Sequence, residues 1–164
     1  MTVSLFERFR RNHAIEHAAM HQLGRLPQPL RLVARSDWDG FIMYGHVDTE
    51  TLARATQAGL NALRSGQPGL AVHPRCGTNM AVHMLLAGAA YGIVSSASKR
   101  RRHGLLSMLT LPMIGAVAAL GQPLSRAAQV HLFTSVDLEG ARIVSIRRHM
   151  RNGMPIHRVY ISHE

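Results

Sequence analysis

Two stretches without charged side chains constrain the fold of this chain most. Residues 77–98 and 104–125 each run for 22 positions without Asp, Glu, Lys or Arg. A helix of that length can cross the hydrocarbon core of a bilayer. The basic segment 99–103 separates the two stretches. The sequence therefore predicts two helices joined by a tight basic turn, either in a membrane or in a protein core.

We expect the membrane arrangement, because nothing else in the chain is large enough to cover both helices on all sides. Three residues count against it, since Asn79, His83 and Pro112 are poorly suited to a bilayer. The expected location is a bacterial inner membrane, with lipid as a partner. The sequence leaves the side of the membrane open, because the positive-inside rule and the arginine-rich N-terminal region without an export signal point in opposite directions.

The remainder of the chain has the pattern of a small α+β fold. Capping and turn residues mark the ends of its elements, with Ser4 before the first helix and Asn152-Gly153 between the last two strands. The predicted elements are a helix over 5–23, strands over 30–35 and 41–47, a helix over 50–64, and strands over 142–149 and 156–162. The fold class is thus an αββα-type domain with a transmembrane helical hairpin and a C-terminal β-hairpin.

The predicted organisation has three regions in one structural domain. Residues 1–76 form the αββα region, residues 77–125 the two-helix membrane hairpin, and residues 126–164 the C-terminal β-hairpin. Because two membrane spans return the chain to its starting side, we expect the two hairpins to join in one sheet beside the first helices.

The charge balance favours an anionic partner. Nineteen basic residues, eighteen of them Arg, stand against nine acidic residues, for a net charge of +10. Nucleic acid nevertheless ranks last among partners, because the basic residues are dispersed outside residues 99–102 and few aromatic residues are present to stack bases. A homo-oligomer is left open. The single cysteine, Cys76, excludes an internal disulfide.

The run His13-Ala14-Ile15-Glu16-His17 is the strongest candidate for chemistry. Two histidines four residues apart lie on one side of a helix, where both imidazoles can reach one divalent ion such as zinc. Glu16 could then take a proton from a metal-bound water, as in the H-x-x-E-H motif. The alternative is a polar helix face with ordinary hydrogen-bonded histidines.

Catalytic zinc needs a third protein ligand from elsewhere in the chain. The candidates are His21, His73, Cys76 and Glu50. His73 and Cys76 are favoured, because Pro74 and Gly77 hold an irregular loop that can present side chains to a neighbouring helix.

Three segments carry a family resemblance: residues 11–18 (RNHAIEHA), 40–45 (GFIMYG) and 73–79 (HPRCGTN). In this order they resemble an uncharacterised bacterial family grouped as domain of unknown function 6391. The paired H-x-x-E-H and H-P-R-C-G-T motifs are also similar to a membrane-protein family labelled a predicted metal-dependent enzyme. The resemblance implies that His13, Glu16, His17, His73 and Cys76 belong to one functional site. The chain departs from the inverted zinc peptidases, which supply a distant glutamate ligand within a much larger chain.

The leading functional hypothesis is a membrane-anchored zinc-dependent hydrolase, with a peptide or protein as substrate. His13, His17 and either His73 or Cys76 would hold the metal, with Glu16 as the base. One alternative is a metal-stabilised membrane or partner-binding protein without catalysis, in which four ligands close the site. Another is a basic protein that binds anionic lipid or nucleic acid through charge alone.

Overall fold

The computed structural model describes residues 3–98 and 103–164. It contains four α-helices and four strands. The helices are α1 (Leu5–Leu23), α2 (Thr49–Arg64), α3 (Gly77–Ser98) and α4 (His103–Ala128), and the strands are β1 (Val33–Asp37), β2 (Gly40–Tyr44), β3 (Ala141–Arg151) and β4 (Met154–His163). A 3₁₀ turn spans Pro68–Ala71, and a π-helical turn spans Gln129–Phe133.

The chain divides into two compact units. The first comprises Met1–His73 and Val130–Glu164, and the second comprises Pro74–Gln129. The first unit contains α1, α2 and all four strands, and the second contains α3 and α4, which pack against each other.

The strands form one antiparallel sheet in the order β1-β2-β4-β3. Two hairpins build it, and β2 pairs with β4 to join them. The second hairpin turns at Asn152 and Gly153, whose φ angles of 50° and 76° suit the left-handed conformation that Asn-Gly adopts in tight turns. Trp38 and Asp39 form the two-residue turn of the first hairpin.

The core of the first unit lies between one face of the sheet and helices α1 and α2. Phe41, Met43 and Val159 are fully buried on that face. Ile15 on α1 and Leu60 on α2 are buried against it. Every residue from 11 to 19 of α1 is buried.

Helices α1 and α2 approach each other closely at one glycine. A Cβ atom added to Gly59 would lie only 2.8 Å from the backbone carbon of Ala18. Glycine at this position lets the two backbones come together, which sets the separation of α1 and α2 at this point.

The predicted transmembrane hairpin is wrong. Over residues 3–98 and 103–164, every helix falls short of the length and apolar character that a membrane crossing needs. The expected inner-membrane location is overturned by the same finding. The physical reason is that freedom from charge differs from apolarity: α3 and α4 contain many Gly, Ala, Ser and Thr residues, which contribute little transfer free energy to a bilayer.

Most of the predicted basic turn, residues 99–102, lies outside the described residues. The α+β class itself holds for the chain, as a four-stranded antiparallel sheet with four helices.

Candidate metal centre on helix α1

Helix α1 buries an unusual set of polar side chains in its middle. Ser4 caps its first turn by accepting a hydrogen bond from the Glu7 backbone amide at 3.2 Å. Further along, His13 is 8 % exposed, Glu16 is 7 % exposed and His17 is 2 % exposed. Charged and polar residues are seldom buried to this degree unless other groups satisfy them. The partners of these three side chains therefore define the site.

His17 is oriented by the backbone of the turn that follows α2. Its Nδ1 lies 2.6 Å from the carbonyl oxygen of Ala71. Because a carbonyl only accepts, Nδ1 carries the proton and Nε2 carries a lone pair. That Nε2 is buried and has no hydrogen-bond partner among the described residues. A histidine that donates one ring N–H to a backbone carbonyl and turns the other nitrogen away is the usual geometry of a metal ligand.

His13 lies one turn before His17 and is held in a similar way. Its Nδ1 is 3.0 Å from the carbonyl oxygen of Phe133, and the ring centroids of His13 and His17 are 4.3 Å apart. The i, i+4 spacing on α1 accounts for this proximity.

Both imidazoles are neutral at physiological pH. Burial, together with positive charge on the neighbouring His13, lowers the pKa of His17 from 6.5 to about 3. Burial also lowers the pKa of His13, although the hydrogen bond to Phe133 opposes the change. A histidine must be neutral to bind a metal, so the surroundings prepare these two rings as ligands.

His73 and His21 extend the row of imidazoles. The His73 ring centroid lies 5.8 Å from that of His17 and 5.0 Å from that of His21. His21 Nε2 is 2.8 Å from the carbonyl oxygen of Val72, so one of its nitrogens is already engaged by the loop backbone. His73 thus lies near both His17 and His21 in this row.

Cys76 follows His73 by three residues. Its Sγ accepts a hydrogen bond from the Thr78 backbone amide at 3.4 Å, at the start of α3. The Cys76 thiol also donates a hydrogen bond to the Thr78 hydroxyl at 3.3 Å. His13, His17 and Cys76 are the residues of the described chain that could together hold a metal ion, which makes a candidate His/Cys metal site.

Glu16 is oriented toward the sheet. The Ser36 hydroxyl on β1 donates a short hydrogen bond to Glu16 Oε2. Burial raises the pKa of Glu16 from 4.5 to about 7, and the Ser36 hydrogen bond only partly offsets this. The carboxyl group therefore has a pKa near neutrality and is held by the Ser36 hydroxyl of β1.

Glu50, the remaining candidate ligand, is part of a different environment. Its side chain is 77 % exposed on α2 and forms an ion pair with Arg54 at 2.5 Å. Its neighbours give it no link to the buried histidines.

Sequence patterns did not reveal three contributors to the site: the Ser36 hydroxyl and the carbonyls of Ala71 and Phe133. Backbone carbonyls carry no residue-type signal. Ser36 lies between the predicted strands 30–35 and 41–47, where no pattern marks it as part of a site. Only the folded chain brings these groups to α1.

Comparison with known proteins places the chain in a family. The family model "Domain of unknown function (DUF6391)" matches residues 8–146, which include all five predicted site residues. The chain belongs to this family. It is also 34 % identical over 139 residues to an uncharacterized protein of Picosynechococcus sp., an alignment that covers 79 % of this chain and 67 % of the relative. No solved structure matches the chain.

Proposed function

We propose that this chain binds a zinc ion through His13, His17 and Cys76, with His73 as a further ligand. The observation that carries the proposal is that His17 Nε2 is buried with no hydrogen-bond partner among the described residues. The ring centroid of His13 lies 4.3 Å from that of His17. An unpartnered acceptor of this kind is costly to bury, and a bound cation would satisfy it. A site with two imidazoles and a thiolate favours zinc over magnesium or calcium.

The number of protein ligands separates a structural site from a catalytic one. If His73 binds together with the other three residues, the tetrahedron is closed. If it does not, one position remains for water or substrate. Metal binding is common to both arrangements and is tested first.

Metal analysis of the purified full-length chain tests the proposal. We expect one zinc per chain in the wild type and loss of zinc in His17→Ala. The matched control is His46→Ala, which changes an exposed histidine and should keep the metal. Wild-type protein without stoichiometric metal after reconstitution under reducing conditions would refute the proposal.

Cobalt substitution identifies the thiolate ligand without depending on the His17 variant being folded. Cobalt bound to a cysteine thiolate shows a charge-transfer absorption in the near ultraviolet. We expect this band in the wild type and its absence in Cys76→Ser, with visible ligand-field absorption retained from the histidines. A band unchanged in Cys76→Ser would remove Cys76 from the ligand set.

Metal-dependent hydrolysis, with a peptide or protein as substrate, is the second candidate function. The observation that favours it is the buried carboxylate of Glu16, the residue before His17, which accepts a hydrogen bond from the Ser36 hydroxyl. A bound zinc ion supplies a water of lowered pKa. Glu16 would accept a proton from the attacking water and pass it to the leaving group, which requires the carboxylate to stay near the histidines. The likeness of HAIEH to the H-x-x-E-H motif supports the same role.

Glu16→Gln separates hydrolysis from metal binding. The amide keeps the size of the side chain and can still accept the Ser36 hydrogen bond, but it cannot take up a proton. We expect the variant to retain zinc and to lose hydrolysis of a labelled protein substrate such as casein. Wild-type protein that is fully loaded with zinc yet inactive, or a variant as active as the wild type, would leave the metal site without a catalytic role for Glu16.

A further inference from the structure

The second face of the sheet presents a regular set of arginine and tyrosine side chains. Because α1 and α2 cover the face that carries Phe41 and Met43, residues of the opposite pleat point away from the core. Paired residues in neighbouring strands share a face. The strand register places one row of residues across all four strands, made up of Arg35, Ile42, Arg158 and Arg147. A shorter row beside it contains Tyr160 and Ser145. We call this surface the open face.

The open face carries net positive charge. Arg158 is neutralised by Asp37, to which it forms two hydrogen bonds at 2.5 and 2.8 Å. Arg35 and Arg147 are exposed, and in the described part of the chain no carboxylate forms an ion pair with either. Exposed guanidinium groups at the two edge strands are suited to phosphate oxygens, which they bind bidentately.

Flat π-surfaces lie among these charges. The guanidinium carbons of Arg147 and Arg158 lie 5.6 and 5.1 Å from the centre of the Tyr160 ring. Tyr44 lies on the same face, paired with Ile156. Tyrosine rings and guanidinium planes are the groups on which unpaired nucleobases stack.

A cleft of 740 Å³ opens beside Tyr160. Its lining includes Arg147 and Ser145, together with Arg8 and the acidic residues Asp39 and Glu164. Arg8 forms an ion pair with Asp39 at 3.3 Å, so Arg147 is the basic lining residue without a carboxylate partner in the described part of the chain. His163 also lines the cleft, and its Nδ1 is buried without a hydrogen-bond partner among the described residues. The volume is in the range of sites that enclose a small organic ligand, and one nucleotide fits that range.

We propose that the open face binds single-stranded nucleic acid. Arg35 and Arg147 contact phosphates. Bases stack on the rings of Tyr44 and Tyr160, and the cleft takes one nucleotide. An anionic membrane would also be attracted by the arginines, but it makes no use of a cleft that Tyr160 lines. The proposal does not depend on the metal centre, because α1, which carries His13 and His17, packs on the covered side of the sheet.

Fluorescence anisotropy with a labelled 12-nucleotide RNA of mixed sequence tests the proposal on the full chain. We expect Arg147→Gln to weaken binding and to reduce the slope of log K against log salt by about one, as loss of one phosphate contact does. The matched control is Arg54→Gln on α2, an exposed arginine with the same charge change. It should leave both the affinity and the slope close to those of the wild type.

Tyr160→Leu tests stacking separately from charge. We expect affinity to fall by about 5- to 150-fold with the salt slope unchanged, because one base–ring stack is lost. Thermal unfolding of each variant checks that the fold is kept, and Arg147→Gln, at an exposed site, preserves the test if Tyr160→Leu unfolds.

Three results would overturn the proposal. The first is no RNA binding at low salt, and the second is equal weakening by Arg147→Gln and Arg54→Gln. The third is tighter binding to vesicles containing phosphatidylserine than to RNA, with the same dependence on Arg147, which would assign the open face to a lipid surface.

Discussion

Replacing Glu16 by Gln should stabilise the metal-free protein at pH 8 and have little effect at pH 4. Burial raises the pKa of Glu16 from 4.5 to about 7. Below pH 4.5 the carboxyl is protonated in both the folded and the unfolded chain. As the pH rises toward 7 the unfolded chain releases this proton and the folded chain retains it, so stability is lost.

The size of the effect follows from the pKa difference. A change of 2.5 units corresponds to about 3 kcal/mol of unfolding free energy, fully lost above pH 7. Glutamine carries no charge to bury and still accepts the Ser36 hydrogen bond. We therefore expect Glu16→Gln to raise the unfolding free energy by about 3 kcal/mol at pH 8 and by much less than 1 kcal/mol at pH 4.

Urea denaturation at pH 4, 6 and 8 in the presence of a chelator measures this difference. The lowered pKa values of His17 and His163, about 3 and about 4, make both proteins less stable in acid, and this contribution cancels between variant and wild type. Glu50→Gln is the control, because Glu50 is exposed and its ion pair with Arg54 should contribute only about 0.5 kcal/mol. An equal gain at pH 4 and pH 8, or destabilisation at pH 8, would refute the reasoning.

Three further predictions concern packing and capping of the helices that hold the site, all measured by urea denaturation. Gly59→Ala should destabilise the protein by about 1–3 kcal/mol, because the new Cβ would lie 2.8 Å from the Ala18 backbone. The control, Ala58→Gly on the exposed side of α2, should cost only about 1 kcal/mol through helix propensity. A Gly59→Ala variant more stable than the wild type would contradict the close approach. Leu60→Ala, at 1 % exposure, should cost about 2–5 kcal/mol by leaving a cavity, and a loss below 1 kcal/mol would mean that the site collapses. Ser4→Ala should cost about 0.5–2 kcal/mol, and Ser4→Thr should recover most of it; equal losses in both would exclude the cap.

Local signals located the regular elements of this chain. The first helix was predicted over 5–23 and spans those residues, because Ser4 caps it and Gly24 follows it. The Asn152-Gly153 turn fixed the second hairpin in the same way. The predicted ends of the two strands of the first hairpin differ from the observed ends by one to three residues, because the turn uses Trp38 and Asp39 rather than a longer loop.

The membrane prediction failed because it counted charges instead of hydropathy. Residues 77–98 contain no charge, but they include Asn79 and His83 together with glycines and serines. Such a helix gains too little from transfer into hydrocarbon. The absence of charge therefore predicted the positions of the two helices in the sequence correctly, but it predicted a membrane environment wrongly.

Side-chain spacing predicts only part of the candidate site. The i, i+4 relation alone places His13 next to His17, because both lie on one helix. The Ala71 carbonyl that orients His17 arrives through the tertiary fold. The open face illustrates the same limit: Arg35 and Arg147 are 112 positions apart in sequence, and the strand register alone places them in one row.

The pKa changes on α1 have opposite directions and a common physical origin. Burial lowers the pKa of His13 and His17 and raises that of Glu16, so all three side chains are driven toward their neutral forms. Apolar residues at these positions would give a more stable helix, since each buried polar group costs free energy. Local departures from the rules of packing are expected where a chain has a function to perform. A cation at His17 Nε2 would reverse part of this cost, because its charge favours the ionised form of Glu16. The stabilisation by Glu16→Gln at pH 8 should therefore shrink when zinc is present, which makes the stability of the fold itself a measure of metal binding.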